Sequence, residues 1–363
     1  MVVRATFHWI SCTLFTLGLA GCGNADDDTT SGADKSDDST EAIHLAFIPK
    51  TDNNLVFRMG NQGAQFGARD LGHDHDVKID VEYLAPAELD PSRERELIRT
   101  AIKDKKDGLI VSCVDDTISK PIDEAVKAGI PVITYDSDCP DSQRLGFYSM
   151  SSEDTGGKAA DLLASAMGSG SKTVAILTGR AGADNLERRM SGFTDRLSSK
   201  YPDISVVATS HCMETADTCS PAIEDELMDK YPDLDGLFIV GLWGLLEACT
   251  CSESGLTCTC EETQMPKWKA AAKGKLKTVA YDSLPFELML MQQGYVSALI
   301  GQKYFGWGYD TVSLMYDHLS KKTKVADFVD SGFDVVCPNN VDNMSAKWDA
   351  GDFRAPLKPA CSL

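Results

Sequence analysis

The sequence predicts an α/β protein with two doubly wound parallel-sheet lobes, and three observations lead there. Short β-branched apolar runs alternate with helix-length segments, and the turns between them are short. That alternation runs once from Ala42 to about Ser151 and then restarts. Strand-like segments are left over near the C-terminus, so the chain must cross between the two units several times.

In the first series, Ile43 to Ile48 reads as a strand and Val56 to Leu71 as a helix ended by Gly72. Val77 to Tyr83 is a strand. Pro91 suits a first helical turn and opens a helix to about Lys105. Gly108 to Cys113 is a strand, Ile118 to Lys127 a helix, and Val132 to Tyr135 a strand. Such β-α repetition requires parallel, right-handed crossovers. In the second series, Thr155 to Met167 is a helix, Thr173 to Leu177 a strand and Asn185 to Ser199 a helix. Val206 to Ser210 is a strand, Pro221 to Lys230 a helix, Gly236 to Val240 a strand, and Gly244 to Cys249 starts a helix. Beyond a cysteine-rich insertion at about 249–266, Lys277 to Tyr281 is a strand and Pro285 to Gln293 a helix. Val296 to Ile300 is a strand, Tyr309 to Leu319 a helix, and Phe333 to Val336 the last strand.

The chain has 363 residues and a net charge of −20, which opposes binding to nucleic acid phosphates. Part of that charge is concentrated in 22–41. There Asp26, Asp27, Asp28, Asp34, Asp37, Asp38 and Glu41 face one Lys35, with almost nothing apolar to bury, as in a disordered tether. Arg4 and the apolar run Phe7 to Leu19 read as a signal peptide, too short to span a membrane. Leu19, Ala20, Gly21 and Cys22 then form a box that resembles the bacterial lipoprotein signal. That resemblance implies cleavage after residue 21, lipidation of Cys22 and a periplasmic protein anchored to a membrane by lipid alone. In that resemblance, Gly23 rather than Asp after the cysteine weakly favours the outer membrane.

Apart from Cys12 in the signal segment and Cys22, ten cysteines form an even set, which in an exported chain implies disulfides. Cys113 and Cys139 follow neighbouring strand ends and are expected to pair; Cys212 and Cys219 flank one loop. Cys249, Cys251, Cys258 and Cys260 could close a small knot or bind zinc. Their C-x-C spacing departs from the usual zinc pairs, so disulfides are favoured. His73 to Asp76 reads as a solvated turn rather than a metal site. No metal or other cofactor is expected.

Ligands of open α/β sheets bind beyond the carboxyl ends of the strands. Asp136 sits there, directly after Val132 to Tyr135, and its two oxygens suit a pair of ligand hydroxyls. The alternative is a carboxylate that merely solvates a loop or caps a turn. Six segments, in order, carry a further resemblance: Ile48 to Phe57, Pro131 to Asp138, Asp154 to Lys158, Arg189 to Phe193, Val279 to Asp282, and Ala298 to Gln302. Together they resemble periplasmic sugar-binding proteins of the ribose and galactose type, the type I solute-binding fold. The resemblance covers roughly Ala42 to Asp334. It implies two lobes joined by a three-segment hinge, one of 42–151 plus 303–332 and the other of 152–302 plus 333–363.

Residue by residue, the resemblance implies Asn54 and Phe57 in the first loop, with Phe57 against the apolar face of a sugar. It implies Asp136 and Ser137 in the first lobe, Arg189 and Asp282 in the second, and Gln302 beside the hinge. Where the family pattern has Asn, often with Asp, this chain has Gly241 and Leu242, and Trp243 is expected to form a wall there. Each residue also has an ordinary reading. Arg189 could be a solvated helix arginine, Trp243 a core or hinge residue, Asp282 a cap for the helix near Pro285, and Gln302 a surface residue. The implied function is a monomeric binding protein for a sugar or polyol that serves an ABC transporter permease. A sensor module for a chemoreceptor or kinase is the alternative. Enzyme motifs such as Gly-x-Ser-x-Gly, His-Glu-x-x-His or a phosphate loop are absent from the sequence. A DNA-binding repressor would need a reading helix before the first strand, where this chain has the acidic tether.

Overall fold

The computed structural model describes residues 42–246, 250–251, 258–259, 266–351, 353 and 355–363. The expected signal segment, Cys22 and the acidic tether lie outside these residues. So does most of the cysteine-rich insertion, including Cys249 and Cys260.

The first series comprises β1 (Ile43–Ile48), α1 (Leu55–His75), β2 (Ile79–Tyr83), α2 (Pro91–Lys103), β3 (Gly108–Val111), α3 (Ser119–Lys127), β4 (Val132–Tyr135) and β5 (Gly146–Ser149). The second comprises α4 (Ser152–Met167), β6 (Lys172–Thr178), α5 (Asp184–Lys200), β7 (Ile204–His211), α6 (Ala216–Pro221), β8 (Gly236–Ile239) and α7 (Trp243–Leu246). A π-helical turn, Ala222–Met228, follows α6. The remainder is β9 (Thr250–Cys251), β10 (Cys258–Thr259), α8 (Lys267–Ala272), β11 (Lys277–Tyr281), α9 (Pro285–Gln292), β12 (Ala298–Gln302), α10 (Tyr304–Lys321), β13 (Phe328–Asp330), β14 (Phe333–Val336) and α11 (Val341–Ala350).

Two six-stranded sheets organise these elements. The first runs β13-β5-β4-β3-β1-β2, with every neighbouring pair parallel. The second runs β14-β12-β11-β8-β6-β7 and is parallel except for β14 against β12. Central strands such as β3 and β4 are buried along their whole length, as strands covered by helices on both faces must be. The chain passes from the first sheet to the second between β5 and α4, returns between β12 and α10, and crosses again between β13 and β14. This is the two-lobed, doubly wound arrangement with three crossings that the resemblance implies.

Several local expectations are corrected. Helix α1 continues through Gly72 to His75 and is capped by Asp76, whose left-handed backbone (φ 52°) lets its N–H return to the Gly72 carbonyl. His73 to Asp76 therefore spans a helix end rather than a turn, and the His75 ring stacks on Tyr316. Helix α10 starts at Tyr304, five residues before the expected Tyr309, because its first turns are disguised by Gly306 and Gly308. Both are small because of what they pack against. A Cβ on Gly308 would lie 1.9 Å from the Gly60 carbonyl oxygen of α1, and one on Gly63 equally close to the Phe305 carbonyl oxygen of α10. The counterpart seam in the second lobe joins α4 to α5. There a Cβ on Gly156 would meet the Arg189 carbonyl oxygen at 2.1 Å.

Cys113 pairs with Cys139 and Cys212 with Cys219, as expected. Cys337 pairs with Cys361 and pins the C-terminal tail beside β14. Cys251 and Cys258 face each other in the backbone register of the β9–β10 pair.

Glu94 and Glu287 are fully buried, one in each lobe. One oxygen of Glu94 accepts the Val114 N–H and one of Glu287 accepts the Leu284 N–H; the second oxygen of each has no partner. Burial raises both pKa values well above the ordinary range. A folded chain that holds such a proton is favoured most below the unfolded pKa of about 4.3. That stability is lost as pH climbs toward the folded pKa. Glu287→Gln keeps an acceptor for Leu284 and has no proton to lose. Thermal melts from about pH 4.5 to pH 8 should therefore fall less steeply for the variant than for the parent, and equal slopes would refute the assignment.

Candidate functional site

Between the lobes, the carboxyl ends of strands from both sheets converge on one cavity with about 350 Å³ of empty space. Asp136 follows β4 and Asp282 follows β11, each within a Tyr-Asp-Ser sequence, Tyr135 to Ser137 and Tyr281 to Ser283. Both aspartates have left-handed backbones, φ 59° and 80°. Glu214, on the loop after β7, has φ 61°. Six described non-glycine residues have positive φ, and three of them line this cavity. Such strain persists where the surrounding structure enforces it, as at ligand clamps.

Asp136 is buried. Its carboxylate accepts from Ser112 Oγ at 3.1 Å and, across the cleft, from Asn185 Nδ2 at 3.2 Å. Lys50 Nζ, also buried, stands 3.4 Å from the same carboxylate. In the second lobe Asp282 Oδ1 accepts from Gln302 Nε2 at 2.7 Å and Tyr304 Oη at 3.0 Å. Burial raises the Asp282 pKa, against the lowering influence of Gln302 and Arg189. Burial likewise raises that of Glu214, opposed by Lys50; the residue is partly exposed, but its carboxyl is turned inward to the Arg180 N–H.

Arg189 projects from α5 and is 2% exposed, so it is no solvated helix arginine. One terminal nitrogen donates to the Val240 carbonyl and the other to Gln302 Oε1 at 2.8 Å, while the guanidinium lies 4.2 Å from the Tyr281 ring centroid. Arg189 Nε and Asn185 Oδ1 are buried without a partner. They lie one turn apart on the same helix face, so a donor and an acceptor are presented together. Aromatic walls complete the cavity. Phe57 and Trp307 have ring centroids 5.9 Å apart, and Trp243 closes the other side. The indole of Trp243 fills the space over Gly241, where a Cβ would lie 2.4 Å from its ring. A glycine at 241 is what admits the tryptophan.

Asn54, Phe57, Asp136, Arg189, Trp243, Asp282 and Gln302 all line this one cavity. Asn54 also caps α1, its Oδ1 accepting the Val56 N–H. Asp282 caps nothing; Leu284 occupies the N-cap of α9. Ser137 is not among the lining residues. The left-handed turn at Asp136 folds the chain back, the Ser137 N–H returns to the Tyr135 carbonyl, and the residue borders a separate depression with Asp138 and Asp184. Lys50, Asn185, Glu214 and Trp307 line the cavity as well and were not singled out from the sequence. Lys50 stands just past β1, where the strand-end rule that marked Asp136 also applies. Asn185 is four residues before Arg189, on the same face. Glu214 carries no local signal.

Among the described residues, no helix is long and apolar enough to cross a membrane, and no cluster of three or more His, Cys, Asp or Glu is placed to hold a metal ion.

Residues 45–323 match the periplasmic binding protein domain. The xylose/arabinose-binding protein XylF of Sulfolobus acidocaldarius is 24% identical over 256 residues, covering 67% of this chain and 60% of that protein. The ribose import binding protein RbsB of Bacillus subtilis is 26% identical over 187 residues, covering 51% of this chain and 57% of that protein. The chain thus spans less than two thirds of the length of these curated relatives. A solved ABC transporter solute-binding protein from Burkholderia graminis, in complex with D-arabinose, is 27% identical with a TM-score of 0.71. The match covers 82% of this chain and 96% of that one.

Proposed function

The chain belongs to the periplasmic binding protein domain family, and from that premise we propose that it binds a monosaccharide or related polyol between its lobes and delivers it to an ABC importer. One observation carries the reading. Acceptors and donors from both lobes (Asp136, Asp282, Arg189, Asn185 and Gln302) surround a small cavity walled by Phe57, Trp243 and Trp307. A sugar ring has hydroxyls on its edge and C–H groups on its faces, and this lining offers partners for both. The ligand class also fits what the relatives' names and the arabinose complex describe.

In this reading the chemistry is capture, not catalysis. With the lobes apart, Asp136 and Asp282 are hydrated; closure removes that water and is favourable only when ligand hydroxyls replace it. The importer would then recognise the closed form. We assign 42–151 plus 303–332 to the first lobe and 152–302 plus 333–363 to the second. We also assign the protein to the periplasm as a monomer, held to the outer membrane by lipid on Cys22.

The test is a thermal-shift panel of pentoses, hexoses, cyclitols and polyols, D-arabinose, D-xylose and D-ribose included. A ligand at 100 times its Kd stabilises by about 2.7 kcal/mol. At least one of these compounds should raise the melting temperature accordingly. A flat panel at millimolar concentration would refute the proposal.

A further inference from the structure

The cavity described above does not end the cleft. A second chamber, with about 1120 Å³ of empty space partly open to solvent, lies outside it. Asn54, Phe57, Glu214 and Trp243 line both, forming a collar between them. We propose that the outer chamber is a second sugar subsite, so that the preferred ligand is a disaccharide or glycoside with one ring in the inner cavity. The inference rests on the sugar-binding reading of that inner cavity.

The walls of the outer chamber are built in advance. In the first lobe, the loop after β1 is stitched to the loop after β2. The Asp52 N–H donates to the Pro86 carbonyl at 2.7 Å, and Thr51 Oγ1 to the Ala87 carbonyl at 3.3 Å. These contacts set Asn53 opposite the second lobe, beside Glu88 and Leu89. In the second lobe, the Cys212–Cys219 disulfide closes a short loop that presents Met213, Thr215 and Asp217. The Met213 N–H is tied to Thr218 Oγ1 at 3.0 Å. Its apolar side chain is nonetheless 52% exposed, on the chamber wall. Glu214 on that loop holds a left-handed backbone, strained for a residue with a side chain, and lines the collar. Leu89 and Met213 supply apolar surface, while Asn53, Thr215, Glu88 and Asp217 supply hydrogen-bonding groups. That mixture suits the faces and edge of a sugar ring, and Met is an adaptable surface for ligands that vary.

The experiment is titration calorimetry of the mature chain with D-xylose and xylobiose, L-arabinose and arabinobiose, and D-glucose and cellobiose. At least one disaccharide should bind ten-fold or more tightly than its own monosaccharide. Asp217→Trp and Glu88→Trp fill the chamber from opposite walls at exposed positions that do not line the inner cavity. Each should abolish that advantage and leave monosaccharide binding within about two-fold. If monosaccharides bind and every disaccharide binds more weakly, the outer subsite is refuted while the inner site stands. Equal weakening of both by the Trp variants would also refute it. If none of the six sugars binds, the outer subsite is refuted, and the inner cavity is judged separately by the wider thermal-shift panel.

Discussion

Asp136→Asn should bind the parent's best sugar about 30- to 1,000-fold more weakly, a loss of roughly 2 to 4 kcal/mol. The substitution preserves shape, and asparagine tolerates the left-handed backbone that Asp136 adopts. What changes is charge and hydrogen-bond polarity. A carboxylate accepts through both oxygens, whereas the amide has one acceptor and turns a donor toward groups that already donate, Ser112 Oγ, Asn185 Nδ2 and Lys50 Nζ. The buried ammonium of Lys50 also loses its neighbour, so the unliganded variant should melt earlier than the parent. Asp282→Asn separates the two effects, since Asp282 is hydrogen-bonded to Gln302 and Tyr304, both neutral. It should lose affinity over a similar range with a smaller stability cost. Asp203→Asn, on the exposed turn before β7, serves as the control. Calorimetric titration of the three variants decides the matter; parental affinity in both Asp136→Asn and Asp282→Asn would place the ligand elsewhere.

Gly308→Ala should destabilise the protein by about 3 kcal/mol or more, at the upper end of overpacking costs. The added methyl would sit 1.9 Å from one backbone oxygen and 2.3 Å from the Ala64 nitrogen, and backbone cannot swing aside as a side chain can. Helices α1 and α10 must therefore separate. Phe57 lies near the start of α1 and Trp307 near the start of α10, so the same separation should pull apart two walls of the cavity. Gly274→Ala is the comparison, because its nearest neighbour would lie 3.6 Å away. Denaturant melts should leave it within about 0.5 kcal/mol of the parent. Equal midpoints for the two variants would show that the seam can relax.

Much of this arrangement was legible in the sequence because it rests on periodicity and strand ends. β1, β4, β11 and β14 are β-branched or apolar runs with clear boundaries, and Asp136 and Asp282 stand at the first polar position beyond two of them. What escaped has physical reasons. β5 contains a glycine and a serine in only four residues, and β13 is a three-residue edge strand that leaves Phe328 exposed. Neither has a pattern of its own; each exists because a neighbour offers a ladder. Ser137 borders a separate depression, next to a left-handed turn at Asp136 that nothing in the residue identity announces. Glu214 reaches the cavity only through the shape of a disulfide-closed loop. Buried Glu94 and Glu287 contradict the usual surface preference of glutamate, which is why composition could not locate them.

The place of β13 in the first sheet governs how a nascent chain can mature. The strand that completes that sheet is made almost last, and the Arg144 to Asp327 contact that fastens it joins positions 183 apart. Contacts so distant along the chain form slowly, because a long loop must close before they return any energy. Until residue 330 has left the ribosome, the β5 edge has no partner on that side, and an open edge invites pairing with other chains. The second sheet waits longer still, for β14. Neither sheet is therefore complete until nearly the whole chain has been made.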